Sequence, residues 1–308
     1  MSSPVIAVRP RALDTPRVGL ISFLNCRPLL WGLSRTRSLP NVTQLSAEAA
    51  GERLVAGDLD LGPISLADYL RHTDELLLLP GLAIAAEGAV MSCNIVSHGR
   101  IEELRSPRVG LSSTSRTTVL LARILLEDVF GLSPAYFSGP PDTAELLRAA
   151  DAAVVIGDPA LRTFFDSRAG TRPYAGEPGD DRARADGPLH VHDTASLWTE
   201  WTGLPMVFAV WAVRREYARQ RPEAVVAAHR SLLNARDLGL GSIDAVSAEA
   251  ARGSDLSAAQ LSVYYRTLRY DLDSRGLRGI ERFAALAAAR SAVPARGGLE
   301  MFGAEAGR

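Results

Sequence analysis

Short apolar runs alternate with polar loops and amphipathic stretches along most of this chain. The first clear run, Val18–Ile21, is apolar and contains β-branched residues, which predicts a buried strand. Small and polar residues follow it, and Pro28 then suits the first turn of a helix, as Ser46 later suits a helix N-cap. The same order of apolar run, polar loop and helix start recurs at residues 109–118 and 153–160.

Strands that alternate with helices form a parallel or mixed sheet, and the loops at the strand ends of such sheets bind ligands. Two rounds of this pattern, followed by a helical region, predict an α/β protein of two lobes with a ligand cleft between them. The predicted parts are a first lobe of residues 17–97 and 205–290, a second lobe of residues 98–204, and flexible ends at 1–16 and 294–308. We expect the strands at 90–97 and 205–213 to cross between the lobes.

Composition narrows the possible partners. The chain has 308 residues, of which 47% are hydrophobic and 22% charged, and its net charge is −1. This balance is ordinary for a soluble globular protein and does not point to nucleic acid or to an anionic membrane surface. All 34 basic residues are arginines, which excludes a Schiff-base lysine and a P-loop lysine.

Targeting and metal-binding signals are weak. No apolar run has the length of a membrane span, and the first residues lack the apolar core of a signal peptide, so a cytoplasmic protein is expected. The two cysteines, Cys26 and Cys93, are too few for a disulfide framework or a cysteine zinc site and are expected to be small core residues. Only His190 and His192 are close together among the histidines, and we interpret them as surface residues of a polar loop rather than metal ligands.

Hydroxyl groups cluster before the strongest predicted helix, which covers residues 115–130. Ser113, Thr114 and Ser115 would combine with the backbone N–H groups of that helix to bind an anion. The sequence favours a carboxylate, because no lysine and no Gly-x-Gly pattern indicates a phosphate. The alternative is an ordinary N-cap, where serine and threonine are common in any case.

A second polar group follows the first predicted strand. Asn25 can orient a carboxylate or a hydroxyl without titrating. The alternative is that Asn25 and Ser22 only cap the helix that starts at Pro28, and both interpretations stay open. Ser65, at the end of another short strand, could bind a ligand but suits a turn equally well.

Three further polar residues complete the candidate site. Alternation along the strand at 90–97 places Ser92 and Asn94 on one face, opposite Cys93. Asp158 is the one carboxylate in a candidate loop, and capping of the helix at Pro159 would explain it without a catalytic role.

Several short motifs, taken in order, resemble the chorismate dehydratases of the futalosine route to menaquinone. The segments that carry the resemblance are 22–25 followed by Pro28, 62–65, 113–115, 156–158, 201–206 with Phe208 and Trp211, and 264–283. Together they span about residues 17 to 290. A related enzyme, which cleaves cyclic dehypoxanthinyl futalosine, has a histidine in its opening loop, and this chain has none there.

The resemblance implies a fold like the type II periplasmic binding proteins and loss of water from chorismate to give 3-[(1-carboxyvinyl)oxy]benzoate. It implies no metal and no organic cofactor. Asn25 would be the catalytic residue, and the other polar groups would bind chorismate, whose own enolpyruvyl carboxylate would act as the base. The competing hypothesis is a binding protein for a small anion that shares the fold but catalyses nothing. The sequence predicts no oligomeric state.

Overall fold

A computed structural model describes residues 15–112, 115–169, 189–295 and 298–303. Within these ranges the chain forms two five-stranded sheets with helices packed on them. The strands are β1 Val18–Ile21, β2 Val42–Leu45, β3 Leu61–Ser65, β4 Leu76–Ala86, β5 Cys93–Ser97, β6 Arg108–Ser112, β7 Ala135–Gly139, β8 Ala152–Ile156, β9 His190–Asp193 and β10 Met206–Arg214. The helices are α1 Arg27–Thr36, α2 Ala47–Ala56, α3 Leu66–Arg71, α4 Arg116–Ile124, α5 Thr143–Ala149, α6 Asp158–Arg168, α7 Thr194–Thr202, α8 Arg215–Gln220, α9 Pro222–Leu240, α10 Ile243–Ala251, α11 Ala258–Thr267 and α12 Ser274–Ala289.

The first sheet has the strand order β2-β1-β3-β10-β4. β1 runs parallel to β2 and β3, whereas β10 is antiparallel to β3 and β4. All four residues of β1 are buried, as an apolar run between two helical layers predicts. The predicted strand at 18–21 is therefore confirmed.

The second sheet has the strand order β7-β6-β8-β5-β9. Its helix α4 continues as one π-helical turn, Leu125–Val129, so the predicted helix over 115–130 is confirmed in its main part. The loop predicted around His190 and His192 is wrong, because these residues form β9, where His192 pairs with Ile95. The His192 ring also packs edge-on against Phe130, with 6.0 Å between ring centroids. Half-buried histidines on an edge strand explain why the sequence indicated a loop.

The two lobes correspond to these two sheets, with one correction to the predicted boundary. β5 lies wholly in the second sheet, paired with β8 and β9, so residues 93–97 do not belong to the first lobe. β10 lies wholly in the first sheet. The chain therefore crosses between lobes in the connection 87–92 and in the return through α7, rather than along two shared strands.

One buried carboxylate holds both crossings together. Asp193 is 8% exposed and lies between β9 and α7. It accepts hydrogen bonds from the backbone N–H groups of Val90 and Met91 in the outward connection, at 2.9 and 2.6 Å. It also accepts from the N–H groups of Ala195 and Ser196 at the start of the return helix, at 3.0 Å each. The carboxylate thus fixes the two crossings to each other.

Close helix packing positions the first polar loop. Glycines stand where α1 and α9 meet, and a Cβ atom on Gly32 would lie 1.9 Å from the carbonyl oxygen of Ala235. A Cβ atom on Gly239 would lie 2.0 Å from the carbonyl oxygen of Pro28. Because only glycine allows this approach, the N-terminal end of α1 is held firmly beside the lobe boundary.

The predicted flexible ends are corrected in part. Residues 300–302 lie along the free edge of β4, where Leu78 donates to the carbonyl oxygen of Glu300 at 2.9 Å and accepts from the N–H of Phe302 at 2.8 Å. Pairing with an open strand edge orders this segment, which composition alone does not indicate. Residues 1–14 and 304–308 lie outside the described residues. Within the described ranges, every helix is too short or too polar to cross a bilayer.

Asp193→Asn is expected to destabilise the protein. The substitution keeps the size of the side chain but turns an amide NH₂ toward backbone N–H donors, which costs about 1–3 kcal/mol when the group is buried. Unfolding in urea, followed by circular dichroism, measures the change. Asp142→Asn is the matched control, since Asp142 caps α5 at the surface and asparagine caps equally well. Equal stability of the two variants would contradict the role given to Asp193.

Candidate active site

A cavity lies between the two lobes. Both sheets contribute to it at strand ends, where open α/β sheets bind ligands. Its apolar wall is formed by Ile21, Phe23, Ile84, Ile156, Phe208 and Trp211. Its polar groups are Asn25, Ser65, Ser92, Ser115 and Thr118, together with the thiols of Cys26 and Cys93. None of the lining residues that the structure describes carries a charged side chain.

Helix N-termini supply the positive potential that the side chains lack. Four helices of nine or more residues begin at lining residues: α1 after Cys26, α2 at Ala47, α4 after Ser115 and α6 after Gly157. The first N–H groups of a helix point outward and carry about half a positive charge in sum. The cavity is therefore suited to an anion although no arginine lines it.

The backbone conformation between β8 and α6 requires a glycine at position 157. Its φ of 74° and ψ of −147° lie in a region that only glycine adopts readily. This conformation turns the chain from β8 directly into α6. The sequence motif at residues 156–158 is therefore explained by geometry as well as by resemblance.

Asn25 lies in a short 3₁₀ turn, Leu24–Cys26, and lines the cavity. Its Oδ1 is buried and has no hydrogen-bond partner among the described groups. α1 begins after Cys26, and no side chain caps it. The alternative in which Asn25 and Ser22 cap this helix is therefore wrong, and Asn25 keeps an acceptor available to a ligand.

Ser22 does not reach the cavity. Its side chain is exposed, and its Oγ is 3.5 Å from the carbonyl oxygen of Leu45 on the neighbouring strand. The expectation that Ser22 binds substrate is corrected accordingly. Ser113 and Thr114 lie outside the described residues, so their predicted role stays a prediction.

Ser65 and Ser115 both line the cavity and cap helices. Ser65 Oγ accepts from the N–H of Asp68 at 3.2 Å, and Ser115 Oγ accepts from the N–H of Thr118 at 3.4 Å. Ser65 Oγ also donates to the Asp68 carboxylate at 2.8 Å. The capping and lining interpretations are therefore compatible, and the structure brings Ser65 and Ser115 to the same cavity.

The pairing predicted for Ser92 and Asn94 is wrong. Ser92 lines the cavity, but Asn94 is completely buried away from it and donates to the carbonyl oxygens of Met91 at 2.8 Å and Ala160 at 3.1 Å. Ser92 lies one residue before β5, so the alternation of side chains along β5 does not apply to it. Cys93, and not Asn94, is the second residue of this segment that lines the cavity. Asn94 connects β5 to the first turn of α6.

Asp158 does not cap α6 as expected, because the N-cap is Gly157. Its carboxylate accepts from the backbone N–H of Leu24 at 3.3 Å, which joins the second lobe to the turn that carries Asn25. Burial raises the pKa of Asp158 above the usual range of a carboxyl group. Asp158 is absent from the lining of the cavity.

The two thiols are buried and free. Burial raises the pKa of Cys26 and of Cys93 to about 12, so both stay protonated near neutral pH. Thr118 Oγ1 donates to Cys93 Sγ at 3.3 Å. Neither thiol has the low pKa of a nucleophile.

Thr118, Trp211 and Tyr264 are polar groups of the cavity wall or its support that the predicted list of site residues did not include. Thr118 lies one helical turn after Ser115, and helical spacing alone could have indicated it. Trp211 lines the cavity with its Nε1 buried and without a partner among the described groups. Tyr264 reaches Ser92 from 172 residues away, and no local signal could have shown this. Across the described ranges, no group of three or more His, Cys, Asp or Glu side chains could hold a metal ion.

Solved structures with the same fold include ligand-binding proteins. A periplasmic aliphatic sulphonate-binding protein from Escherichia coli superposes with a TM-score of 0.60 at 15% identity, covering 93% of this chain and 90% of its own. A protein from Archaeoglobus fulgidus gives a TM-score of 0.61 at 14% identity, covering 92% of this chain and all of its own. The two-lobed, periplasmic-binding-protein-like fold is thereby established.

Sequence comparison identifies the family. A chorismate dehydratase from Thermus thermophilus is 33% identical over 277 residues, which are 90% of this chain and 95% of that protein. Residues 16–289 match the protein family described as menaquinone biosynthesis. The match extends through both sheets, all cavity-lining segments and the C-terminal helices up to α12. The chain belongs to the menaquinone biosynthesis family.

Proposed function

We propose that this protein is a chorismate dehydratase, which eliminates water from chorismate to give 3-[(1-carboxyvinyl)oxy]benzoate. The observation that carries the proposal is a cavity between the lobes that combines neutral hydrogen-bond donors with four helix N-termini. Chorismate carries two carboxylates and a ring hydroxyl, whose oxygens can accept hydrogen bonds from these donors. The relative from Thermus thermophilus bears the name of this activity.

The reaction needs little chemistry from the protein. The hydrogen on the ring carbon that bears the ether leaves as a proton, and the neighbouring carbon loses its hydroxyl group. The electron pair of the C–H bond becomes the new ring double bond, and the released hydroxide combines with a proton to form water. Because the product ring is aromatic, positioning of the substrate contributes much of the catalysis.

The base in this proposal is the enolpyruvyl carboxylate of chorismate itself. No described lining residue has a carboxylate or an imidazole, and both lining thiols are protonated near neutral pH. Asn25 holds the substrate carboxylate or the departing hydroxyl, and Ser65, Ser92 and Ser115 bind the remaining oxygens. We expect Ser113 and Thr114 to belong to the same group of donors.

The predicted cytoplasmic location remains a prediction.

A binding protein without catalysis is the second candidate, because sulphonate-binding proteins share the fold and also hold small anions. Incubation of the purified protein with chorismate, followed by mass spectrometry and ultraviolet absorbance, distinguishes the two. We expect a product lighter by one water, with aromatic absorbance growing in. Binding of chorismate without turnover would favour the binding protein, and neither binding nor turnover would contradict both.

Asn25→Ala is expected to lower kcat by about 10- to 100-fold, since a hydrogen bond to a charged or reacting group contributes about 1.5–3 kcal/mol. Steady-state kinetics with chorismate measures the effect. Asn234→Ala is the matched control, because Asn234 is exposed on α9 and is not a lining residue, and it should retain full activity.

Asp158→Asn is expected to retain turnover. An asparagine oxygen can still accept from the N–H of Leu24, and the proposed base belongs to the substrate. The measurement is kcat together with the dissociation constant of chorismate. Abolished turnover with fold and binding intact would show that Asp158 is the base, against the substrate-assisted mechanism.

The thiols are expected to be unreactive in the folded protein. A pKa of about 12 leaves on the order of one thiolate in ten thousand at pH 8, and both groups are buried. Ellman's reagent at pH 8 should label no cysteine in the native protein and both in guanidinium chloride. Rapid labelling of one thiol in the native protein would reopen a nucleophilic role.

A further inference from the structure

A tyrosine of the first lobe bonds the serine at the crossing. Tyr264 lies on α11 and is 1% exposed. Its hydroxyl donates to Ser92 Oγ at 2.9 Å, and Ser92 is itself 3% exposed while lining the cavity. No other described hydrogen bond joins α11 to a polar side chain of the cavity wall.

The direction of this hydrogen bond follows from the second contact of the Ser92 hydroxyl. Ser92 Oγ directs its one proton to the carbonyl oxygen of Val90, so the phenol of Tyr264, whose pKa burial raises well above its usual value, is the donor to Ser92. Ser92 Oγ therefore accepts from Tyr264, and its own single proton points elsewhere.

The acceptor for the Ser92 proton is a weak one. Ser92 Oγ donates to the carbonyl oxygen of Val90 at 3.3 Å, although that oxygen already accepts the Ser92 backbone N–H at 2.7 Å. The Ser92 carbonyl oxygen in turn accepts from the N–H of Gly157 at 2.8 Å, which fixes the residue beside the N-terminus of α6. A substrate oxygen in the cavity can thus replace Val90 as the acceptor.

We propose that Tyr264 is a positioning residue, which holds Ser92 as a hydrogen-bond donor to a carboxylate of the substrate. The proposal rests on the proposed chorismate dehydratase function. Tyr264 occupies one lone pair of Ser92 Oγ and leaves its proton to the substrate. Ser92 then recognises an anionic oxygen rather than a donor group.

The test is a double-mutant cycle of Ser92→Ala and Tyr264→Phe, with kcat and KM for chorismate measured below the melting temperature of every variant. Each single variant should raise KM by about three- to tenfold and change kcat little, because both remove the same bond to bound substrate. The double variant should be no worse than Ser92→Ala alone, since Tyr264 acts through Ser92.

Tyr265→Phe is the matched control. Tyr265 is the next residue on α11, is equally buried, packs 5.6 Å from the Tyr264 ring and has a hydroxyl without a partner among the described groups. It should leave KM unchanged. The positioning role would be overturned if the two tyrosine variants changed KM equally or if the effects in the cycle were additive. It would also be overturned if Ser92→Ala left KM unchanged, and this last result counts even if Tyr264→Phe fails to fold.

The activity of the wild-type protein in the same assay distinguishes a failure of the role of Tyr264 from a failure of the proposed chorismate dehydratase function. If the wild type does not dehydrate chorismate, the proposed function fails and the inference fails with it. If the wild type is active and the cycle is additive, only the role of Tyr264 fails.

Discussion

The hydrogen bonds of the Asp193 carboxylate are the interaction on which the site depends. The cavity is built from two sheets, so its shape depends on how the two crossings between the lobes are held. Asp193 binds four backbone N–H groups from both crossings. Arg275 adds a second connection, because its Nη2 donates to Glu87 at 2.6 Å on one side and to the carbonyl oxygen of Gly203 at 3.0 Å on the other. These hydrogen bonds join the outward connection to the return segment between the lobes.

The absence of a cation from the described lining has a chemical consequence in the proposed reaction. A guanidinium beside a carboxylate lowers the pKa of that carboxylate and makes it a weaker base. Helix N-termini and hydroxyl groups bind an anion with a smaller charge, spread over several donors. Hydrogen bonds from Asn25, Ser92 and helix ends also lower the pKa of a bound carboxylate, so a lining without a cation limits this lowering and does not remove it. Asp158 is not a lining residue; its carboxylate accepts from the backbone N–H of Leu24, and its charge contributes to the raised pKa of Cys26.

Local pattern predicted much of this arrangement, and its failures have physical reasons. The β1 strand and the cap at Ser46 follow from short-range chemistry, and both are observed. β9 escaped prediction because it has a single apolar residue, Val191, between two histidines. Asn94 was misplaced because alternation applies within a strand, and the strand begins one residue after Ser92. Tyr264 belongs to the site only through tertiary packing, which residue order does not encode locally.

The same fold serves sulphonate-binding proteins, so the difference between binding and catalysis must arise within the cavity. A receptor needs only to satisfy every oxygen of its ligand in the ground state. An enzyme gains rate only from interactions that strengthen as the transition state forms. The Oδ1 of Asn25 has no partner among the described groups and is an acceptor. A bound carboxylate offers no proton to this oxygen until that carboxylate has taken one from the ring. If the enolpyruvyl carboxylate lies beside Asn25, this amide oxygen gains a hydrogen bond only as the proton is transferred, which is the behaviour expected of a catalytic group and not of a receptor contact.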